Sequence, residues 1–392
     1  MKVVYILPVS SGAMPHYTAE LANAVSKYAH TVVIKPEDSN DCLFSKDVEV
    51  RNAFQPIYLP KKHQIKALSL TNVKNLFSFR NIKIITEINP DVIHFINLYP
   101  HISFVTFLNK SIIKKFPTIC TLHSTLILRE LSPAKFGFVG SLLQFVSLLT
   151  RRLVKPDKII VHTEENRKIL IEMGIPSEKV AVIPHGSYTF LRSFANVESK
   201  WKNKENSILF FGYITKNKGI EYLIKAIPIV SKEIPDIKAI IAGEGNLSGY
   251  RSLIDKSKFE IYDEFIPNEK IPELFQRVKL VVLPYTYHQG HSGVLSIAFA
   301  FGKPVVVTDV GDLPNLVDNG KIGLIVPPKD PEALAEAIVK LLKDDELRER
   351  MSKNSHKKAQ ELSWDNIAKM HLKVYEETIK EHLGSKSNDK IP

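Results

Sequence analysis

The sequence has almost no cysteine. Cys42 and Cys120 are the two in 392 residues. A disulfide framework or a cysteine-based metal site is therefore not expected, and a reducing cytosol fits best. Long apolar runs are missing too. The longest, FGFVGSLLQFVSLL at 136–149, falls short of the ~18 residues that a bilayer-spanning helix needs. Acidic side chains are outnumbered: 42 Asp and Glu against 53 Lys and Arg, a formal charge of +11. No zinc-finger, homeodomain or RNA-binding signature accompanies that charge, so nucleic acid is not an expected partner. Neither G-x-G-x-x-G nor G-x-x-x-x-G-K-[ST] occurs, which removes the dinucleotide fingerprint and the P-loop. What is there, 44% apolar and 24% charged residues, is the balance of a soluble globular chain with length for two domains.

The charge is uneven. Residues 1–190 hold 23 basic and 14 acidic side chains, a net of +9, whereas 191–392 hold 30 and 28, a net of +2. Residues 50–86 carry seven basic residues and no acidic one. Asymmetry of this kind points to an anionic partner surface for the first half, or to nothing more than a solvated lysine-rich face.

Strands and helices alternate. KVVYILPV (2–9) reads as a first strand rather than as a secretory leader. TAELANAVSKYA (18–29) has helical spacing, and TVVIKP, DVIHFIN, TICTLH and KIIVHT continue as β-branched runs bounded by polar, Gly or Pro residues. The second half repeats the scheme with SILFFGY, IKAIIAGEG, FEIYDEF, KLVVLPY, KPVVVTD and GLIVPP, separated by helical patterns at 219–234 and 331–344. Two βαβ series predict an α/β protein of two doubly wound domains with parallel sheets. Weak periodicity places the hinge in 186–206, and the tail after Gly384 reads as frayed.

In open α/β sheets, ligands bind beyond the carboxyl ends of the strands. Residues just after strands are therefore the candidates. SSGAMPH brings Gly12, Ala13 and His16 to the first strand-to-helix turn, where free helical N–H groups suit a polar ligand; a plain turn would look the same. TLHST ends a strand at His123, a position for either a structural or a cleft histidine. FFGYITKNKGIEYL places Gly212, Lys216 and Lys218 before a helix, an arrangement suited to a diphosphate or to solvated lysines. PYTYHQGHSGVLSIAFAFGKPVVVTDVGDLP runs from strand to glycine-rich loop to apolar helix, with Gly290, Ser292 and Gly293 placed so that backbone amides can face a ligand.

The ordered set VAVIPHG (180–186), ILFFGYITKNKGIEYLIKAI (208–227), AGEG (242–245), the LPY…GKPVVVTD…LP segment, GLIVPPKDPEALAEAI (323–338) and SWDNIAKMHLKVY (363–375) resembles the retaining nucleotide-sugar glycosyltransferases of family 4, the group 1 type with the GT-B fold. The glycine loop at 12, TAELANAV and KIIVHTEENRKIL fit the same family. The resemblance implies two Rossmann-like domains facing each other across a cleft. They would be 1–190 on the acceptor side and 205–362 for the donor, with a crossover helix at about 364–383 returning to the first. It further implies sugar transfer from a nucleoside diphosphate sugar, with UDP or GDP expected, and retention at the anomeric carbon. Glycan, lipid-linked or small-molecule acceptors are all compatible.

The same resemblance implies residue roles. Lys218 would bind phosphate, and His123 would approach the transferred sugar. Gly212, Lys216, Glu244, Phe265, Ile266, Gln289, Ser292, Gly293 and Val294 would line the donor site, and Gly12, Ala13 and His16 the acceptor side. No D-x-D occurs, so an obligatory metal of that kind is not expected, nor any other obligatory cofactor. Several positions depart from the family pattern. Tyr213 stands where an arginine often follows the glycine. The family's two glutamates, with seven residues between them, fall on Gln289 and Ile297, and G-G-x-P-E becomes Gly311, Asp312, Leu313, Pro314 and Asn315. Gln289 retains hydrogen-bonding capacity toward sugar hydroxyls, while Ile297 has none for a ribose. A degenerate GT-B protein that binds nucleotide or sugar, or serves as a non-catalytic partner subunit, therefore stands as the alternative. A GT-B phosphorylase or epimerase is a weaker one, since no pyridoxal-binding pattern is evident.

KFGFVGSLLQFVSLLTRRLVK (135–155) has four basic residues flanking its apolar stretch. It reads either as a core helix or as a segment that lies in an anionic bilayer interface and places the protein at the inner face of the cell membrane. On the interfacial reading, the chain sediments with anionic liposomes at low salt, and Arg151→Glu combined with Arg152→Glu abolishes that association; retention in the double variant sinks the reading.

Overall fold

The computed structural model describes residues 1–7, 9, 13–38, 41–55, 83–97, 110–123, 156–194 and 206–388. Gly12 and the segment 135–155 lie outside them. The chain divides into two units, Met1–Pro184 with Trp364–Pro392, and His185–Ser363.

In the first unit the strands are β1 (Lys2–Ile6), β2 (His30–Pro36), β3 (Val48–Phe54), β4 (Val92–Ile96), β5 (Thr118–Leu122), β6 (Lys158–Val161) and β7 (Val180–Val182). All pair in parallel, in the order β3-β2-β1-β4-β5-β6-β7. β4, β5 and β6 are buried at every position, which explains why none of them alternates between apolar and polar residues. The longer helices are α1 (Ala13–Val25) and α2 (Glu164–Glu172). Thr163 caps α2 by accepting a hydrogen bond from the Asn166 amide at 3.2 Å.

The second unit contains β8 (Ser207–Phe211), α3 (Ile220–Glu233), β9 (Lys238–Ala242), β10 (Phe259–Tyr262), α4 (Ile271–Arg277), β11 (Leu280–Leu283), α5 (Gly293–Ala300), β12 (Val305–Thr308), β13 (Gly323–Val326), α6 (Pro331–Lys343) and α7 (Asp345–Glu361). Its parallel sheet runs β10-β9-β8-β11-β12-β13. The order reverses at β8, whose neighbours are β9 and β11. The loops after β8 and β11 therefore diverge from one crevice, the place where open α/β sheets bind ligands. α3 and α6 pack against each other on one face of this sheet, with Leu223, Ile227, Val230, Leu334, Ile338 and Leu341 in its core.

Three features differ from the sequence reading. The division falls at Pro184 rather than at 190, because Leu191 is buried in the core of the second unit with Tyr188 and Phe190 packed against it. β3, β7 and α7 were not expected as elements. VEVRNAF carries an arginine and two polar residues in its middle, and α7 is largely charged with few buried positions. The last helix, α8 (Trp364–Asn388), runs past Gly384 instead of fraying there. Gly384 is exposed, so it costs the helix only the ~1 kcal/mol of glycine's backbone entropy.

α8 belongs to the first unit and packs on α1. Its buried face mixes apolar residues, Ile367, Ala368 and Val374 among them, with a hydrogen-bonded polar group. Tyr375 Oη lies 3.0 Å from Tyr5 Oη and 2.8 Å from His94 Nδ1, and His94 Nε2 lies 2.7 Å from Thr121 Oγ1. His371 Nδ1 donates to the Ile367 carbonyl at 2.8 Å, which leaves Nε2 to accept from Tyr17 Oη at 3.4 Å. Farther along, Lys158 Nζ pairs with Glu381 at 2.8 Å. Burial holds His94 well below the usual histidine range and pushes His162 and His371 down to about 4.

These rings stay neutral when folded, whereas the unfolded chain protonates its histidines below about pH 6.5. Stability is therefore fully present above about 6.5 and falls as pH drops toward 4, by up to about 3 kcal/mol each for His162 and His371. Tyr375→Phe leaves His94 and Tyr5 short of a partner and destabilises by about 1–3 kcal/mol. Urea unfolding followed at pH 7.5 and 5 checks both; a flat pH dependence would refute the neutral cluster.

Candidate functional site

Three strand ends meet at the reversal point of the second sheet. Gly212 follows β8 and its N–H donates to the Ala242 carbonyl at 2.9 Å; Ile214 N–H donates to Glu244 at 2.9 Å. Gly243 sits at φ +149°, and a Cβ there would lie 2.1 Å from the Gly212 carbonyl oxygen. A Cβ on Gly212 would lie 3.5 Å from Val294, which puts the end of β8 beside the start of α5. Beyond β8, Lys216–Lys218 form one tight turn that ends in Gly219, left-handed at φ +64°. A Cβ on Gly219 would lie 1.9 Å from the Pro284 carbonyl oxygen. The Thr286 amide donates to Asn217 at 2.9 Å, tying the loop after β11 to the same turn.

This turn sets Lys218. Its Nζ stands 3.7 Å from the centroid of the Tyr285 ring, and burial pushes its pKa down to about 8. A cation–π contact offsets only part of that desolvation, so the ammonium stands ready for an anion. His288 is nearby. Burial first, and then the charge of Lys218, push its pKa down to about 4, and its Nε2–H donates to the Gly290 carbonyl at 3.0 Å. A neutral His288 lets Lys218 keep its charge at neutral pH.

Ser292 caps α5 by accepting from the Leu295 amide at 3.4 Å. The first amides of this helix, those of Gly293 and Val294, have no carbonyl one turn back to bond within the helix. The loop before them is braced by His291, stacked on His185 at 4.1 Å with 3° between the planes, and by Ser296 Oγ at 3.3 Å from His291 Nε2. Lysine, helix N-terminus and glycine-lined backbone together can hold a diphosphate and stabilise charge that develops on it.

The residues expected to bind donor do not all fall together. Gly212, Lys216, Lys218, Glu244, Ser292, Gly293 and Val294 belong to the strand ends just described. Gln289 is half-buried, with Tyr287 Oη at 3.4 Å from its Oε1. Glu244 is exposed and enters through its backbone carbonyl. Phe265 is 67% exposed after the edge strand β10, whereas the Ile266 side chain is buried in the core and leaves only backbone for a ligand. Ile297 is likewise core.

In the first unit, His123 follows β5 and His162 follows β6, with Nδ1 and Nε2 respectively 3.1 Å apart. Tyr17 of α1 packs edge-on against His123 at 4.4 Å. His16 lies in α1, its pKa lowered by burial, and Ala13 is the first residue of that helix. Tyr17, His162, His185, Tyr285, His288 and His291 escaped the sequence reading. His162 could have been found by applying to KIIVHT the rule that selected His123 in TICTLH. Among the described residues no cluster of His, Cys, Asp and Glu could hold a metal ion, and no helix is long and apolar enough to cross a membrane.

Two family models match. The one described as glycosyl transferases group 1 covers residues 192–358, and the one for glycosyltransferase family 4 covers 14–187. An uncharacterized glycosyltransferase of Methanocaldococcus jannaschii is 32% identical over 218 residues, 51% of this chain and 54% of that protein. Alpha-D-kanosaminyltransferase of Streptomyces kanamyceticus is 34% identical over 155 residues, 38% of this chain and 39% of that protein. The chain thus spans about half the length, or less, of these curated relatives. Among solved structures, sucrose-phosphate synthase from Thermosynechococcus elongatus superposes with a TM-score of 0.73 at 20% identity, over 97% of this chain and 100% of that one. The chain belongs to the group 1, family 4 type of glycosyltransferases and has their α/β two-domain GT-B fold.

The turn that carries Lys218 depends on the absence of a side chain at Gly219. Gly219→Ala should cost at least about 2 kcal/mol, combining a left-handed alanine with the collision at Pro284. Gly320→Ala, at φ +97° with nothing within 4 Å of the new Cβ, should cost less, since it incurs backbone strain alone. Equal destabilisation of the two in chemical denaturation contradicts this account.

Proposed function

We propose that the protein transfers a sugar from a nucleoside diphosphate sugar to an acceptor with retention at the anomeric carbon. The observation that carries this reading is the desolvated Lys218 ammonium at the reversal point of the second sheet. Cleaving the bond between sugar and phosphate leaves negative charge on the diphosphate. Lys218 meets that charge, and the Gly293 and Val294 amides at the start of α5 share it. Lys216, exposed in the same turn, supplies a second positive charge where Tyr213 takes the place of the family's arginine. Gln289 hydrogen-bonds hydroxyls of the donor sugar, Phe265 and the Ile266 backbone serve the base, and His123 hydrogen-bonds the sugar in transfer. UDP- or GDP-sugars are the donors to try first. Glycan and lipid-linked acceptors fit the basic first half, where Ala13 and His16 stand in the first turn of α1.

Ile297 favours a second reading. Its side chain is core and gives a ribose no hydrogen bond, as in a protein that binds nucleotide or sugar without turning it over. The two readings separate in one experiment. Donor panels are assayed for transfer, and the product anomer is read by NMR. Binding without turnover for any acceptor class selects the second.

For the first reading, Lys218→Ala should lower kcat/KM for the donor by on the order of 100-fold or more, and Lys216→Ala by less. The pH behaviour follows from the depressed pKa. Free Lys218 releases its proton near pH 8, and a bound diphosphate raises that pKa. Binding must therefore take up a proton near pH 8.5, and affinity must weaken as pH rises past about 8. Calorimetry in two buffers of different ionisation enthalpy measures the uptake, which Lys218→Ala should abolish.

A further inference from the structure

His162 stands in relation to β6 as His123 stands to β5. The parallel register pairs Leu122 with Val161, so the next residues on the two strands are neighbours. His162 Nδ1 lies 2.9 Å from the carbonyl oxygen of Ile183. A carbonyl only accepts, so that nitrogen carries hydrogen. The ring is buried and its pKa lies near 4. At neutral pH it is uncharged, and its Nε2 has a lone pair and no hydrogen. That atom stands 3.1 Å from His123 Nδ1. Since His162 Nε2 can only accept, His123 Nδ1 must donate. In a neutral His123 the other nitrogen, Nε2, is then the acceptor.

We infer that His162 is a positioning residue, which passes the polarity of the Ile183 carbonyl to His123 and fixes the tautomer whose Nε2 accepts a hydrogen bond from a sugar hydroxyl. The sugar as the donor of that bond rests on the role proposed for His123; the tautomer does not. Tyr17 completes the setting. Its ring stands at 88° to that of His123, and 5.6 Å from that of His162. A carboxylate in the place of His162 would favour the protonated, charged imidazole. A neutral imidazole orients His123 without that bias, which suits hydrogen-bond acceptance from a neutral hydroxyl.

The test begins with the full chain labelled with ¹⁵N-histidine, at pH 7.5 and without ligand. The His123 signals are assigned as those lost in His123→Gln. Hydrogen on Nδ1 and a bare Nε2 are expected for His123, and the same pattern for His162. His123 carrying its hydrogen on Nε2 overturns the inference whatever the enzyme's activity. In His162→Phe the His123 signals should become a mixture of tautomers. In transfer assays that variant should lose about tenfold or more in kcat, with donor KM changed less than twofold, because a wrong tautomer impairs the reacting complex more than donor binding. His162→Gln, whose amide can donate to Ile183 and accept from His123, should recover most of the loss. Unchanged kcat in His162→Phe overturns the positioning role. If that variant does not fold, the wild-type spectrum and His162→Gln carry the test, and a Gln variant with the wrong tautomer but full kcat overturns it equally. The expected tautomer in a chain that transfers no sugar supports the pairing and overturns the sugar's part in it.

Discussion

Backbone must touch backbone where β8, β9 and β11 end. Gly243 brings the chain against the Gly212 carbonyl, and Gly219 brings it against that of Pro284. In each place a methyl group would stand about 2 Å from an oxygen. This approach lets one short turn serve two strands, with Asn217 accepting from Thr286 and Ile214 donating to Glu244. The lysine turn is thereby held from both sides before any ligand arrives. Preorganised charge of this kind needs no rearrangement when negative charge develops beside it. The strand order adds its own part, because only at the reversal point do adjacent loops leave in opposite directions.

Burial disfavours charge in both units, with different consequences. In the second it makes Lys218 costly to keep charged without an anion, and keeps His288 neutral beside it. In the first it keeps a group of histidines and tyrosines neutral and hydrogen-bonded to one another. For His162 with His123, and for His371 with Tyr17, donor and acceptor are settled by atoms that have no choice, the carbonyls of Ile183 and Ile367. Two acceptors that cannot donate thus order two pairs of side chains that could otherwise take either role.

Most of the architecture was legible in the sequence because parallel strands buried on both faces advertise themselves as apolar runs. β3 was not, since its middle is polar, and neither was α7, whose burial is confined to a few positions such as Leu347 and Met351. The placement of Lys218, Gly212 and Ser292 was legible because each lies just past a strand and within a motif, though the capping by Ser292 was not read from it. Tyr285 and His288 lay in a motif too, but their effect on Lys218 comes from a ring packed beneath one ammonium, a contact that spacing does not encode. Ile266 shows the reverse. The family resemblance implied contact with a ligand, while its side chain went to the core.

α8 has a consequence for the way the molecule comes into being. The first unit takes its strands from the beginning of the chain and its last helix from the end, with a complete second unit between. Tyr375, His371 and Trp364 are buried there, beside Tyr5, His94 and Tyr17. A ribosome delivers those partners only after the whole second unit. At about 5–20 residues per second, the seven-stranded sheet waits through synthesis of its neighbour with one polar, aromatic face uncovered. The second unit, continuous in sequence, can close first, so of the two units the one begun earlier is completed later.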